Sequence, residues 1–144
     1  MGQNLLSEIL HATAVADPAG RGLVILGPSG AGKTALAWAL LSLGARLVAD
    51  DRTVVTAGAE GLMLSCPPTI RGLIEARGIG LLRAETVASA PLVLAVDLGR
   101  TESDRLPPRR EIVLLGYRVD LVLGPVTAHF PTALLHFLAW GRMD

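Results

Sequence analysis

The chain has 144 residues, 51% of them hydrophobic, with thirteen basic residues balancing thirteen acidic ones. A chain of this length is long enough for one domain with one core and too short for two independently stable domains, and a net charge of zero supplies no field to hold a polyanion or an anionic membrane, apart from a local patch at Arg109 and Arg110. Nucleic acid and membrane are therefore not expected partners, and apolar stretches such as 92–96 and 112–115 fall far short of the ~20 residues needed to span a bilayer.

At the N-terminus no basic segment precedes an apolar one, so a secretory signal is not expected. Gly2 and Ser7 miss the myristoylation spacing by one position. Residues 10–16 are β-compatible, Asp17-Pro18-Ala19-Gly20 has turn chemistry, and residues 23–26 form a second apolar strand. That strand feeds into Gly27-Pro28-Ser29-Gly30-Ala31-Gly32-Lys33-Thr34, which matches the phosphate-loop pattern G-x-x-x-x-G-K-[ST]. Lys33 is the only lysine in a chain with twelve arginines. A compact ammonium enters a tight loop as a point charge, which a planar guanidinium does not. Residues 35–43 have good helix formers and are closed by Gly44 at the expected C′ position.

A short buried strand over 46–49 then ends in Asp50-Asp51, and the β-branched run 53–56 continues beyond it. Residues 57–61 read as a turn, 62–65 as a strand and Cys66-Pro67-Pro68 as a break. Over 73–82 the glycines at 72, 78 and 80 weaken a helix without deciding for a strand. The run 92–96 ends in Asp97, and 99–110 is polar, charged and proline-bearing, as a mobile surface loop should be. Strands are expected at 112–115 and 119–123 around Gly116-Tyr117, and a final helix over 133–140 capped by Thr132. There is no internal repeat or linker, so one domain is expected. The lone Cys66 forms no intrachain disulfide, which fits a reducing compartment and a cytoplasmic location.

In the phosphate loop, glycines let backbone N–H groups wrap a phosphate, Lys33 neutralises charge near the transferring group, and Thr34 places its hydroxyl on Mg²⁺. Asp50 and Asp51 return towards that loop at the end of the next strand. On an extended backbone adjacent acids alternate sides, so one would serve a metal-bound phosphate and the other would meet an incoming hydroxyl as general base. Asp97 competes for the metal-assisting role, with capping of its own loop as the plainer reading. Arg100, Arg105, Arg109 and Arg110 crowd one loop and could stabilise charge during transfer, with a solvated Arg-rich loop as the commoner explanation. His11, His129 and His136 taken alone read as ordinary structural histidines, and a single Cys gives no zinc cluster. A guanine-reading Asn-Lys-x-Asp element is excluded by the single lysine and single asparagine, and the protein-kinase loop motifs are absent.

The order of these parts resembles a known family. His11, the loop over 27–34, Leu47-Val48-Ala49-Asp50-Asp51-Arg52 and Ile74-Glu75-Ala76-Arg77-Gly78-Ile79-Gly80 together look like the catalytic domain of bacterial HPr kinase/phosphorylase. The resemblance runs from about His11 to Arg105. It implies an α/β phosphate-loop domain on a mixed β-sheet with a few helices. The implied activity is phosphorylation by ATP, or by pyrophosphate, of a serine on the phosphocarrier protein HPr, with reversal by phosphorolysis. It further implies that His11 and Lys33 are active-site residues, that Thr34 and Glu75 ligate Mg²⁺, that Asp51 helped by Asp50 exchanges the seryl proton, and that Arg105 acts from a mobile loop. Family members are typically hexameric, carry a separate N-terminal domain and continue into C-terminal helices that help hold HPr. These 144 residues contain neither of those parts. The family's basic segment linked to dephosphorylation aligns with residues 125–130, which contain no Lys or Arg, so kinase activity is expected over phosphorylase activity. The rival readings are an ATP-binding sensor without phosphotransfer and a small-molecule phosphate-loop kinase.

Overall fold

A computed structural model describes residues 6–144, and the readings that fall on residues 1–5 lie outside it. The chain runs β1 (Ser7–Leu10), β2 (Thr13–Ala16), β3 (Gly22–Leu26), α1 (Lys33–Ser42), β4 (Arg46–Ala49), β5 (Thr53–Gly58), β6 (Gly61–Ser65), β7 (Leu73–Ala76), β8 (Gly80–Arg83), β9 (Ser89–Thr101), β10 (Arg110–Leu114), β11 (Tyr117–Gly124) and α2 (Phe130–Trp140). Neither helix is long and apolar enough to cross a membrane.

The sheet is mixed and curls on itself in the order β1-β5-β6-β9-β3-β2-β4, with β11 also pairing β9 and β10 pairing β11. Strand β9 makes the curl possible. Its first residues pair antiparallel with β6, and the remainder pairs parallel with β3 and β11. Side-chain alternation gives this sheet two faces with different cores. Val15, Leu23, Ile25, Leu47, Leu94 and Val96 point towards Leu36 and Leu40 of α1 and Leu134 and Leu138 of α2. Ala14, Ala16, Val24, Val48 and Ala95 point the other way, under Val55, Leu62 and Leu64 of the curled strands. Large aliphatic residues fill the gap to the helices. Alanines line the other face, where backbone approaches backbone.

Gly22 marks the tightest of these approaches. A Cβ there would lie 2.6 Å from the Pro91 carbonyl oxygen and 3.0 Å from Leu64 Cδ1, beside a register irregularity between β3 and β9. Gly22→Ala is expected to destabilise the protein by about 1–3 kcal/mol, because a backbone carbonyl must move to admit the methyl. Urea unfolding measures this, and an unchanged midpoint would show that the β3–β9 junction is looser than described.

Most of the expected elements form, with several differences. The single strand expected over 10–16 is two, because residues 7–10 pair with β5 while 13–16 pair with β3 and β4, so the chain changes layers at His11 and Ala12. Residues 73–83 form the β7–β8 hairpin, with Gly78 in its three-residue turn. Strand β9 continues to Thr101, which pairs with Gly124, so the loop expected from 99 begins at 102. The last helix starts a turn earlier than expected. His129 rather than Thr132 is the residue preceding its first turn, and Pro131 sits inside that turn, where its missing N–H has no intrahelical use. Helix α1 ends as expected: Gly44 N donates to Leu41 O and Ala45 N to Leu40 O, the paired bonds of a Schellman cap.

Candidate active site

The loop between β3 and α1 owes its shape to its glycines. Gly30 and Gly32 have φ of 84° and 98°, and a Cβ at either would meet nothing within 4 Å. Glycine is needed there for backbone conformation rather than space, and the space beside both residues is open. The first turn of α1 opens from this loop with N–H groups that have no intrahelical acceptor. Lys33 is only 6% exposed, and its Nζ donates to the carbonyl oxygens of Gly27 at 2.7 Å and Pro28 at 3.1 Å. The ammonium is thus held at the rim of the cradle by the loop's own backbone.

Asp50 and Asp51 leave the end of β4 in different directions. Asp50 is 8% exposed. Its Oδ1 accepts from the Thr34 hydroxyl at 2.8 Å and the Thr13 hydroxyl at 3.1 Å, and its Oδ2 accepts from the Glu75 amide at 3.0 Å. Asp51 takes a left-handed backbone with φ of 69°, and its amide donates to Thr13 Oγ1 at 3.1 Å. Its Oδ1 lies 2.7 Å from His11 Nε2, and the two side chains are 64% and 53% exposed. The acids therefore separate through a left-handed kink, not through the alternation of an extended strand.

The structure thus joins the phosphate loop, both acids, His11 and the backbone of β7. Trp38 on α1 contributes by donating from Nε1 to the Glu75 carbonyl at 2.9 Å. The Glu75 side chain is exposed and makes no hydrogen bond among the described residues. Asp97 lies in register with Leu26, level with the start of the phosphate loop, but its Oδ1 accepts from the Gly99 amide at 2.8 Å. It therefore binds the backbone two residues further along β9, not the loop that begins at 102. Cys66 is buried, and burial pushes its thiol up, so it is a packing residue.

Arg105 is not brought to this cluster. It is exposed in the 102–109 loop and makes no hydrogen bond or ion pair among the described residues. The loop itself is tied at its base. Arg110 donates from Nε and Nη2 to the two Glu102 carboxylate oxygens at 2.7 and 2.9 Å, and the Ser103 and Asp104 amides also donate to Glu102. The Arg110 guanidinium beside it holds the Glu102 carboxyl down to about 2. A depressed folded-state value means that the latch stabilises the fold fully above the ordinary 4.5 and loses this contribution as pH falls through about 2. The stability difference between wild type and Glu102→Gln should therefore be constant above about pH 5 and shrink towards zero between 4.5 and 2. Denaturant unfolding across that window measures it, and a difference independent of pH would refute the latch.

Among the described residues no three His, Cys, Asp or Glu side chains converge as a metal cage. The oxygen donors available, Thr34 Oγ1 and the nearby carboxylates, suit Mg²⁺, which is commonly held by one or two protein oxygens together with substrate phosphates. Sequence reasoning missed Thr13, which is fully buried and touches both acids. A threonine in a β-compatible run carries no signal beyond strand propensity.

Comparisons with known proteins identify the family and the fold. A family model described as the HPr Serine kinase C-terminal domain matches residues 3–95. The HPr kinase/phosphorylase of Nitrosomonas europaea is 39% identical over 150 residues, covering 94% of this chain and 46% of that protein. That of Cupriavidus necator is 36% identical over 131 residues, covering 83% and 41%. The chain thus spans less than half the length of these curated relatives. In fold it is similar to the HPr(Ser) kinase/phosphatase from Coxiella burnetii, with a TM-score of 0.78 at 24% identity over 92% of this chain and 88% of that one.

Proposed function

The chain belongs to the HPr serine kinase C-terminal domain family, and from that membership we propose that it transfers a phosphoryl group from ATP to a seryl hydroxyl of an HPr-like phosphocarrier protein. The observation that carries this reading is the division of the acid pair: Asp50 lies buried on the phosphate-loop Thr34, whereas Asp51 is exposed beside His11. An acid that must meet a hydroxyl on another protein has to be accessible from outside. A small-molecule kinase would instead enclose it.

In this mechanism the loop amides and the N-terminus of α1 receive the β and γ phosphates, and Lys33 exchanges its two loop carbonyls for phosphate oxygens. The seryl oxygen forms a bond to the γ phosphorus as the bond to the β-phosphate oxygen breaks. ADP leaves, and the seryl proton passes to the Asp51 carboxylate. His11 occupies Oδ1 and leaves Oδ2 for that proton. The same carboxyl returns the proton if the reaction runs backwards. Thr34 and Glu75 would hold Mg²⁺, whose contribution is neutralisation of phosphate charge. Asp50 accepts a hydrogen bond from the Thr34 hydroxyl and so turns that oxygen's lone pairs away from itself.

Incubation with Mg·ATP labelled at the γ position and HPr from the same cell should yield acid-stable seryl phosphate on HPr. Label on a metabolite would identify a small-molecule kinase. ATP binding without transfer would identify a sensor.

A further inference from the structure

Thr13 stands where the two acids part. It is 0% exposed, and its one hydroxyl both donates to Asp50 Oδ1 and accepts from the Asp51 amide, each at 3.1 Å. Its position follows from an irregularity in the β2–β4 ladder: Val15 pairs with Leu47 but Ala14 pairs with Ala49, leaving Val48 as an extra residue in β4. Such a bulge re-aims the residues that follow it. It brings Asp50 and Asp51 over the start of β2. A second stitch fixes the same corner, since the Thr53 hydroxyl donates to the Ala12 carbonyl at 2.8 Å and touches neither acid.

We propose that Thr13 is the positioning residue that divides the acid pair, holding the Asp50 carboxylate towards Thr34 while pinning the left-handed backbone of Asp51 so that its carboxylate faces outwards beside His11. The inference rests on the reading of Asp51 as the proton acceptor and deepens it. A residue with a Cβ takes the left-handed conformation reluctantly and keeps it where its surroundings hold it there. At Asp51 the contact that holds the amide is the Thr13 hydroxyl. Without it the amide has no acceptor, Asp50 Oδ1 loses one of its two hydroxyl donors, and the residue at 51 is free to relax towards ordinary backbone. The carboxylate then swings off the line of attack.

The test compares Thr13→Val, which keeps the shape and removes the hydroxyl, with Thr13→Ser, which keeps the hydroxyl, and with Thr53→Val as a control for loss of an equally buried hydroxyl from the same corner. Thr13→Val should lower kcat for transfer to HPr by roughly 10- to 100-fold, the scale of a misplacement of about 1 Å. KM for ATP should stay within about threefold, because ground-state binding is untouched. Hydrogen exchange at the Asp51 amide should accelerate by at least about tenfold as its acceptor is lost. Thr13→Ser should restore turnover and exchange, and Thr53→Val should lose stability while keeping kcat within about threefold. The proposal is overturned if Thr13→Val keeps wild-type turnover and wild-type exchange at Asp51, or if Thr53→Val slows turnover as much. If wild-type protein phosphorylates no HPr, the functional reading fails, and the exchange measurement still decides whether Thr13 holds Asp51.

Discussion

Asp51→Asn is expected to reduce phosphoryl transfer by roughly 10²- to 10⁴-fold, the usual contribution of a positioned general base, while ATP affinity stays within about tenfold. The substitution preserves size and leaves an oxygen that His11 can still meet, so the corner between β1 and β2 is not disturbed. It removes the group proposed to accept the seryl proton, a role that matters only as the new bond forms. Because His11 and Asp51 are both more than half exposed, their pairing adds little to stability, and the variant should melt close to wild type. Single-turnover measurements with saturating ATP and separate titration of a non-hydrolysable analogue distinguish these effects. Equal losses in binding and turnover would make Asp51 chiefly a phosphate or metal contact. The contrasting variant is Asp50→Asn. Asp50 accepts from two hydroxyls and one amide in a buried setting, so its loss should appear in stability as well as in turnover.

Lys33→Met should weaken ATP binding by about 10- to 100-fold, as expected for a charge-assisted contact of roughly 1.5–3 kcal/mol, and slow transfer by a further 10²-fold or so, because negative charge develops on the leaving β-phosphate oxygens in the transition state. Methionine keeps the unbranched stem and discards the ammonium. Lys33→Arg should not rescue. In the structure the ammonium reaches two carbonyl oxygens from a residue that is 6% exposed, and a planar guanidinium needs both more room and a different fork of acceptors. Trp38, bound through its indole N–H to the Glu75 carbonyl, links the helix that carries Lys33 to the β7–β8 hairpin, so its fluorescence offers a direct readout of nucleotide binding. Wild-type ATP affinity in Lys33→Met would remove the phosphate loop from the proposal.

The features legible in the sequence are those whose causes are local. Three glycines and a lysine at fixed spacing specify the loop, because each answers a backbone or charge requirement within a few residues. Gly44 closes α1 through bonds that reach only three and five residues back. The strands around Gly116 and the turn at Asp17 are likewise set by short-range chemistry. The hairpin at 73–83 was not legible, since its glycines argue against a helix without naming a strand partner.

Tertiary structure alone decided how the two acids divide between a buried and an exposed position. That division depends on an extra residue in β4 and on a threonine 37 and 38 positions away from the acids it holds, a separation across which no sequence pattern carries information. The same holds for β9, whose last residues extend as strand because Gly124 pairs with Thr101, and for the 102–109 loop, which the Glu102–Arg110 pair ties at its base. The sequence by itself determined the glycine-lysine pattern of the loop from Gly27 to Thr34 and the placing of a pair of acids after the next strand. Which acid is buried and which faces outwards was decided by the fold, because hydrogen bonds between distant strands, unlike turns and caps, exist only once the sheet has closed.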